Sequence, residues 1–236
     1  MSPIPQNLQA ITATIVAAAQ ESGRSPQDVR LLAVSKTFGP EAVLEAVQAG
    51  QRAFGENYLQ EALDKMAALR AQPMVATTRL EWHFIGPIQS NKTRPIAEHF
   101  DWVHTVEREK VAQRLSEQRP AGMAPLQICL QVNISGEASK SGVAPDEVAA
   151  LAHKVAALPN LTLRGLMAIP EPALEFDRQR AAFAPLRRLY EQLRADGLAL
   201  DTLSMGMSAD LRAAIFEGAT IVRVGSAIFG SRTYKA

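Results

Sequence analysis

The sequence predicts an α/β protein folded as a single (β/α)8 TIM barrel with an extra N-terminal helix, and three observations carry that prediction. Apolar runs of strand length alternate with longer segments of helical period, as repeated βα units require. Eight such runs fit into 236 residues, the size of one barrel. The residues able to do chemistry cluster at the carboxyl ends of those runs, where barrel folds build their sites.

Taken in order, the segment from Pro5 to Glu21 places Leu8, Ile11, Ile15 and Ala19 at helical spacing, which predicts a helix ahead of the barrel that covers its floor. Strands are expected at 30–36, 52–56, 81–86, 101–106, 127–134, 163–169, 202–206 and 221–225. Helices are expected from Pro40 to Ala49, Tyr58 to Leu69, Ser90 to Glu98, Arg108 to Gln118, Pro145 to Ala157, Phe176 to Asp196 and Ala209 to Glu217. Gly50 and Gly197 stand just past two of these segments and Pro145 opens another, the placements that helix ends favour. No composition shift marks a linker, so residues 1–236 read as one domain.

Lys and Arg total 25 against 24 Asp and Glu, and a net charge of +1 offers no general attraction to nucleic acid or an anionic membrane. Any anion recognition must be local. The single cysteine, Cys129, lies in an apolar run, which suits a buried reduced thiol and excludes an intrachain disulfide framework. The first six residues lack the charged and apolar regions of a leader, and no run of eighteen apolar residues occurs, so a soluble cytoplasmic protein is expected. The absence of a long exposed apolar stripe predicts a monomer.

An apolar run, Leu31-Leu32-Ala33-Val34, ends in Ser35-Lys36. An amine partly desolvated at a strand mouth is a usable nucleophile, whereas the bland alternative is a solvated lysine opening a loop. Two small-residue turns, Ser204-Met205-Gly206-Met207-Ser208 and Arg223-Val224-Gly225-Ser226, follow the seventh and eighth expected strands, where barrels commonly hold phosphate. Ser208 also reads as the N-cap of the segment carrying Leu211 and Ile215. Arg223 points inward, where its fixed charge needs a partner, and a ring nitrogen would be one. Glu56 and Asn57 offer an acceptor and a donor beside the lysine. His83, between Trp82 and Phe84, is either a hydrogen-bonded core group or part of the site. His99, His104 and His153 have no carboxylate or thiol at ligand spacing, so no metal site is inferred. An amine facing a phosphate cradle fits a phosphorylated aldehyde. It also fits a class I aldolase-type barrel, with His83 or Glu56 as acid/base.

Several motifs occur together: Ala33-Val34-Ser35-Lys36, Phe54-Gly55-Glu56-Asn57-Tyr58, Trp82-His83-Phe84-Ile85-Gly86, Gln89-Ser90-Asn91-Lys92, Arg164-Gly165-Leu166-Met167, Leu203 to Ser208, and Arg223 to Gly230. In this combination and order, from about Arg30 to Arg232, the chain closely resembles the pyridoxal phosphate homeostasis proteins. The resemblance implies a fold-type III barrel like the N-terminal domain of alanine racemase, with pyridoxal 5′-phosphate (PLP) held as a Schiff base on Lys36. It implies phosphate contacts at Ser208, Gly225 and Ser226, Arg223 facing the pyridine nitrogen, and Asn57, with His83 and Met205, among the cofactor-binding residues. Ser226 stands where threonine is frequent, and Phe38 where a second lysine is common. The implied role is a carrier that buffers PLP and passes it to apo-enzymes with little or no catalysis; the alternative is a racemase-like enzyme. Against the alternative, arginine hardly donates a proton to the pyridine nitrogen, and a racemase needs a second acid/base from an extra domain for which the chain, ending at Ala236, leaves no room. Lys140 and Lys235 are candidates for a second PLP site.

Overall fold

Eight parallel strands close into a barrel in sequential order β1 to β8, each paired with its neighbours and β8 returning to β1. The computed structural model describes residues 3–136 and 141–230. The strands are β1 (Arg30–Val34), β2 (Ala53–Glu56), β3 (Glu81–Phe84), β4 (Trp102–Val106), β5 (Leu126–Gln131), β6 (Leu161–Met167), β7 (Thr202–Ser204) and β8 (Ile221–Val224). The helices are α1 (Ile4–Glu21), α2 (Pro40–Gln48), α3 (Leu59–Arg70), α4 (Pro73–Ala76), α5 (Thr93–His99), α6 (Glu109–Gln118), α7 (Val148–Ala156), α8 (Phe176–Ala195), α9 (Leu211–Phe216) and α10 (Ser226–Phe229). Each expected strand and helix is present, with ends displaced by a few residues. The segment expected as one helix from Ser90 splits into a 3-10 turn, Ser90–Lys92, followed by α5, and the short α4 was not anticipated.

Strand alternation sorts side chains into two cores. Ala33, Phe54, Phe84, Val103, Ile128, Leu130, Leu166, Leu203, Val222 and Val224 face outward and pack under the helices. Leu32, Ala53, Trp102, Cys129, Met167 and Ile221 fill the barrel itself. Helix α1 corrects one expectation: it flanks the barrel and does not cover its floor. Its buried Leu8, Ile15, Ala18 and Ala19 join the outer core, and Asn7 donates to the Ile228 carbonyl oxygen at 2.9 Å. The reason is that α10, after β8, is only four residues long, so α1 occupies the place of an eighth outer helix. The opposite mouth is closed by polar pairs, Arg30 with Glu81 and Arg164 with Asp201, and by Trp102 beneath the Arg164 guanidinium. No helix among the described residues is long and apolar enough to cross a membrane.

Candidate functional site

The carboxyl ends of the strands surround a cavity of about 370 Å³. Lys36, Asn57, Met167, Ser208, Arg223, Gly225 and Ser226 line it, together with Val34, Phe38, Ile85, Ile169 and Met207. Six of the eight candidate cofactor residues thus share one wall. His83 and Met205 do not line the cavity, and alternation explains both. Met205 follows the inward-facing Ser204, so it points outward into the helix layer and is fully buried there. His83 faces inward but lies two residues below Ile85, deep in the barrel, stacked on Trp102 with ring centroids 5.3 Å apart.

Lys36 sits in the turn after β1, and that turn is tied down from beneath. Ser35 Oγ donates to Glu56 Oε1 at 2.7 Å. Lys65 Nζ donates to the Ser35 carbonyl at 2.8 Å and lies 2.6 Å from Glu56 Oε1 and 3.1 Å from Glu61 Oε1. Glu61 in turn accepts from the Thr37 N–H at 2.6 Å. These bonds hold Thr37 at φ 70°, a left-handed conformation that a β-branched residue adopts only when its surroundings impose it. Burial raises the Glu56 carboxyl pKa above its ordinary value, with Lys65 and Ser35 opposing the rise. Glu56 faces outward from β2 into this network, so neither it nor His83 reaches the cavity as the acid/base that an aldolase reading requires. The network escaped sequence analysis, yet it left a signal: Lys65 occupies one position of the buried stripe Ala62, Lys65, Met66, Leu69 on α3.

Asn57 is placed by the close approach of Gly86. A Cβ at Gly86 would overlap the Asn57 carbonyl oxygen, so only glycine lets the two loops touch. Asn57 Oδ1 is buried without a hydrogen-bond partner at the cavity wall. Such an atom costs free energy unless a ligand donates to it.

After β7, Gly206 turns the chain at φ 93°, and a Cβ there would lie 2.5 Å from the Ala214 Cβ. The next turn is closed by the Met207 N–H donating to Asp210 Oδ1 at 2.6 Å. Asp210, not Ser208, stands at the N-cap of α9, which corrects the expected cap and leaves Ser208 on the cavity wall. Ser226 opens α10, beside Gly225. Ser208, Ala209, Gly225 and Ser226 from the two turns line one space, and small-residue turns with hydroxyls and main-chain N–H groups are the chemistry that cradles phosphate.

The Arg223 guanidinium is buried and lines the same cavity. It donates to Ser204 Oγ at 2.8 Å and to the Ala168 carbonyl at 3.0 Å. Burial lowers its pKa to about 10, with the Asp210 carboxylate countering, so it remains charged at neutral pH. Phe38, where the resemblance led one to expect a lysine, lines the cavity and packs on Phe229 with ring centroids 5.2 Å apart. Lys140 and Lys235 lie outside the described residues.

Known proteins resemble this chain in sequence and in fold. Residues 6–233 match the family model for the alanine racemase N-terminal domain. A pyridoxal phosphate homeostasis protein of Pseudomonas aeruginosa is 64% identical over 236 residues, covering 100% of this chain and 99% of that protein. Among solved structures, PipY of Synechococcus elongatus with PLP bound has a TM-score of 0.80 at 38% identity, covering 93% of this chain and 100% of that one. Alanine racemase of Corynebacterium glutamicum shares the fold, with a TM-score of 0.67 at 18% identity over 95% of this chain and 61% of its own. On this family model and these full-length relatives, the chain belongs to the family of pyridoxal phosphate homeostasis proteins.

Proposed function

We propose that this protein binds PLP in the cavity at the carboxyl end of the barrel and acts in intracellular PLP homeostasis, holding the cofactor reversibly and releasing it to apo-enzymes. The observation that carries the reading is the lining itself: Lys36, the turns at Ser208 and Gly225–Ser226, and Arg223 all border one cavity, and the β8 turn lies directly beside β1, which leads into Lys36. The residues fit the group. Asn57 Oδ1 awaits a donor, and the two turns match a phosphate dianion. Bound there, PLP would supply an aldehyde carbon open to attack by an amine. Lys36 is the amine that lines the cavity, Ser208 and Ser226 would hold the phosphate, and Arg223 would donate to the ring nitrogen. The printed names of the relatives, homeostasis protein and PipY with PLP bound, support the same reading.

What the wall carries supports holding rather than turnover. Among its described residues, Lys36 is the one amine, and carboxyl, imidazole, phenol and thiol groups are absent. Racemisation needs an acid/base on each face of the substrate carbon. Arg223 keeps its proton, so the ring nitrogen stays a poorer electron sink. We also infer a monomer in the cytoplasm, where the buried Cys129 thiol stays reduced.

Titration of the purified protein with PLP tests the reading. Visible absorbance characteristic of a bound cofactor should saturate in the parent protein and be lost in Lys36→Ala. A parent protein that takes up no PLP, or a Lys36→Ala variant with unchanged absorbance, contradicts it.

A further inference from the structure

A chain of polar side chains crosses the barrel interior from the cavity to its opposite mouth. Arg223 NH1 lies 2.8 Å from Ser204 Oγ, and Ser204 Oγ lies 2.7 Å from His104 Nδ1. His104 Nε2 lies 2.8 Å from His83 Nδ1, and His83 Nε2 lies 2.6 Å from Glu81 Oε1. Glu81 also accepts from Arg30 at 2.7 Å. Ser204, His104, His83 and Arg223 are buried, whereas the Arg30 and Glu81 side chains remain 48% and 32% exposed at the far mouth. Barrel interiors are ordinarily filled by branched apolar residues, so five linked polar groups there are a departure that needs a reason.

The direction of every proton in this chain is determined from its carboxylate end. An ionised carboxylate only accepts, so His83 Nε2 carries its hydrogen toward Glu81. A neutral His83 then presents Nδ1 as an acceptor, which requires His104 Nε2 to donate. His104 Nδ1 is left as an acceptor, so the Ser204 hydroxyl donates to it and turns its lone pairs toward Arg223. Arg223, which only donates, is compatible with this assignment, but the Ser204 hydroxyl can accept from both neighbours, so the carboxylate end is what sets it. Burial holds both imidazoles below their ordinary pKa, in keeping with neutral rings, and Glu81 is held at about 2: burial opposes this, and His83 and Arg30 outweigh it.

We propose that Glu81, His83, His104 and Ser204 form a one-way hydrogen-bond relay that positions the Arg223 guanidinium in the cavity, so that the ring-facing side of the PLP site is set from the opposite mouth of the barrel. This rests on the reading of the cavity as a PLP site; the relay itself exists without the cofactor. Ser204 is the member that touches Arg223, and the others act through it as positioning residues.

Two measurements test the relay, the first on protein free of PLP. Long-range proton–nitrogen NMR of the imidazoles at pH 7.5 should show His83 and His104 both neutral, both protonated on Nε2, and slow to exchange. A ring protonated on Nδ1, or an imidazolium at either position, overturns the proposal. Glu81→Gln replaces a pure acceptor by a group that also donates; both rings should then show mixed tautomers, and PLP retention should weaken about tenfold, the scale of one charge-assisted hydrogen bond. Ser204→Ala should weaken retention similarly while leaving His83 on Nε2, and it guards against misfolding of the first variant. Retention unchanged in both variants overturns the proposal. Parent protein that shows the predicted tautomers yet binds no PLP contradicts the cofactor reading alone.

Discussion

Replacing Lys65 by methionine is the perturbation whose outcome the structure constrains most tightly. The Lys65 side chain is 2% exposed and bonds at once to the Ser35 carbonyl, Glu56 and Glu61. Glu56 is fully buried and its Oε2 has no partner, so Lys65→Met leaves its carboxyl group in the protein interior with the Ser35 hydroxyl as hydrogen-bond partner and the like-charged Glu61 nearby. Removing one member of a buried ion pair costs about 3–5 kcal/mol, because the surviving charge keeps its desolvation penalty. For a domain of this size that corresponds to a melting temperature lower by roughly 6–20 °C. Adding Glu56→Gln removes the stranded charge, and the double variant should recover at least half of the loss. Equilibrium denaturation of the three proteins gives the comparison. A loss below about 1 kcal/mol for Lys65→Met, or a double variant as unstable as the two single losses combined, would falsify the claim that a buried ion pair supports the Lys36 turn.

Other consequences are as direct. Ser208→Ala and Ser226→Ala should each weaken PLP retention roughly tenfold, the scale of a hydrogen bond to a charged group, without moving the site of covalent attachment; dialysis rates read this, and retention equal to the parent's contradicts the phosphate assignment. Stability should fall as pH drops below about 6.5, because the unfolded chain protonates its histidines there while burial keeps His83 and His104 neutral in the fold. The groups facing these rings are Glu81, Asp101, Arg30 and Arg223, and the slope approaches about 1.4 kcal/mol per pH unit for each ring until its folded pKa is reached. Glu81, held at about 2, adds loss of the same sign below its ordinary pKa, whereas the raised Glu56 opposes it; a denaturation midpoint equal at pH 7.5 and 5.5 contradicts this prediction. Cys129, buried and with its thiol pushed up to about 12, should resist thiol reagents in the native protein and react on unfolding.

Much of the fold was legible in the chain because alternating strand and helix periods leave a strong local signal, and the strand-end positions of Lys36, Asn57, Ser208, Arg223, Gly225 and Ser226 placed them on one wall. Less legible was anything decided by tertiary pairing. The role of α1 depends on the shortness of α10, which no pattern within α1 records. Met205 and His83 were misplaced because proximity in sequence to a site says nothing of which way a strand residue points or how deep it lies. Lys65 and Ser204 matter through partners far along the chain, Ser35 at 30 positions and His104 at 100, so their functions emerge only once the barrel has closed.

The central claim, that the cavity holds PLP on Lys36, is tested most directly by borohydride reduction of the PLP-loaded protein followed by peptide mapping. The account predicts a single reduced pyridoxyl group on the peptide containing Lys36. A modification confined to another lysine, or no modification in protein that has taken up PLP, would contradict it.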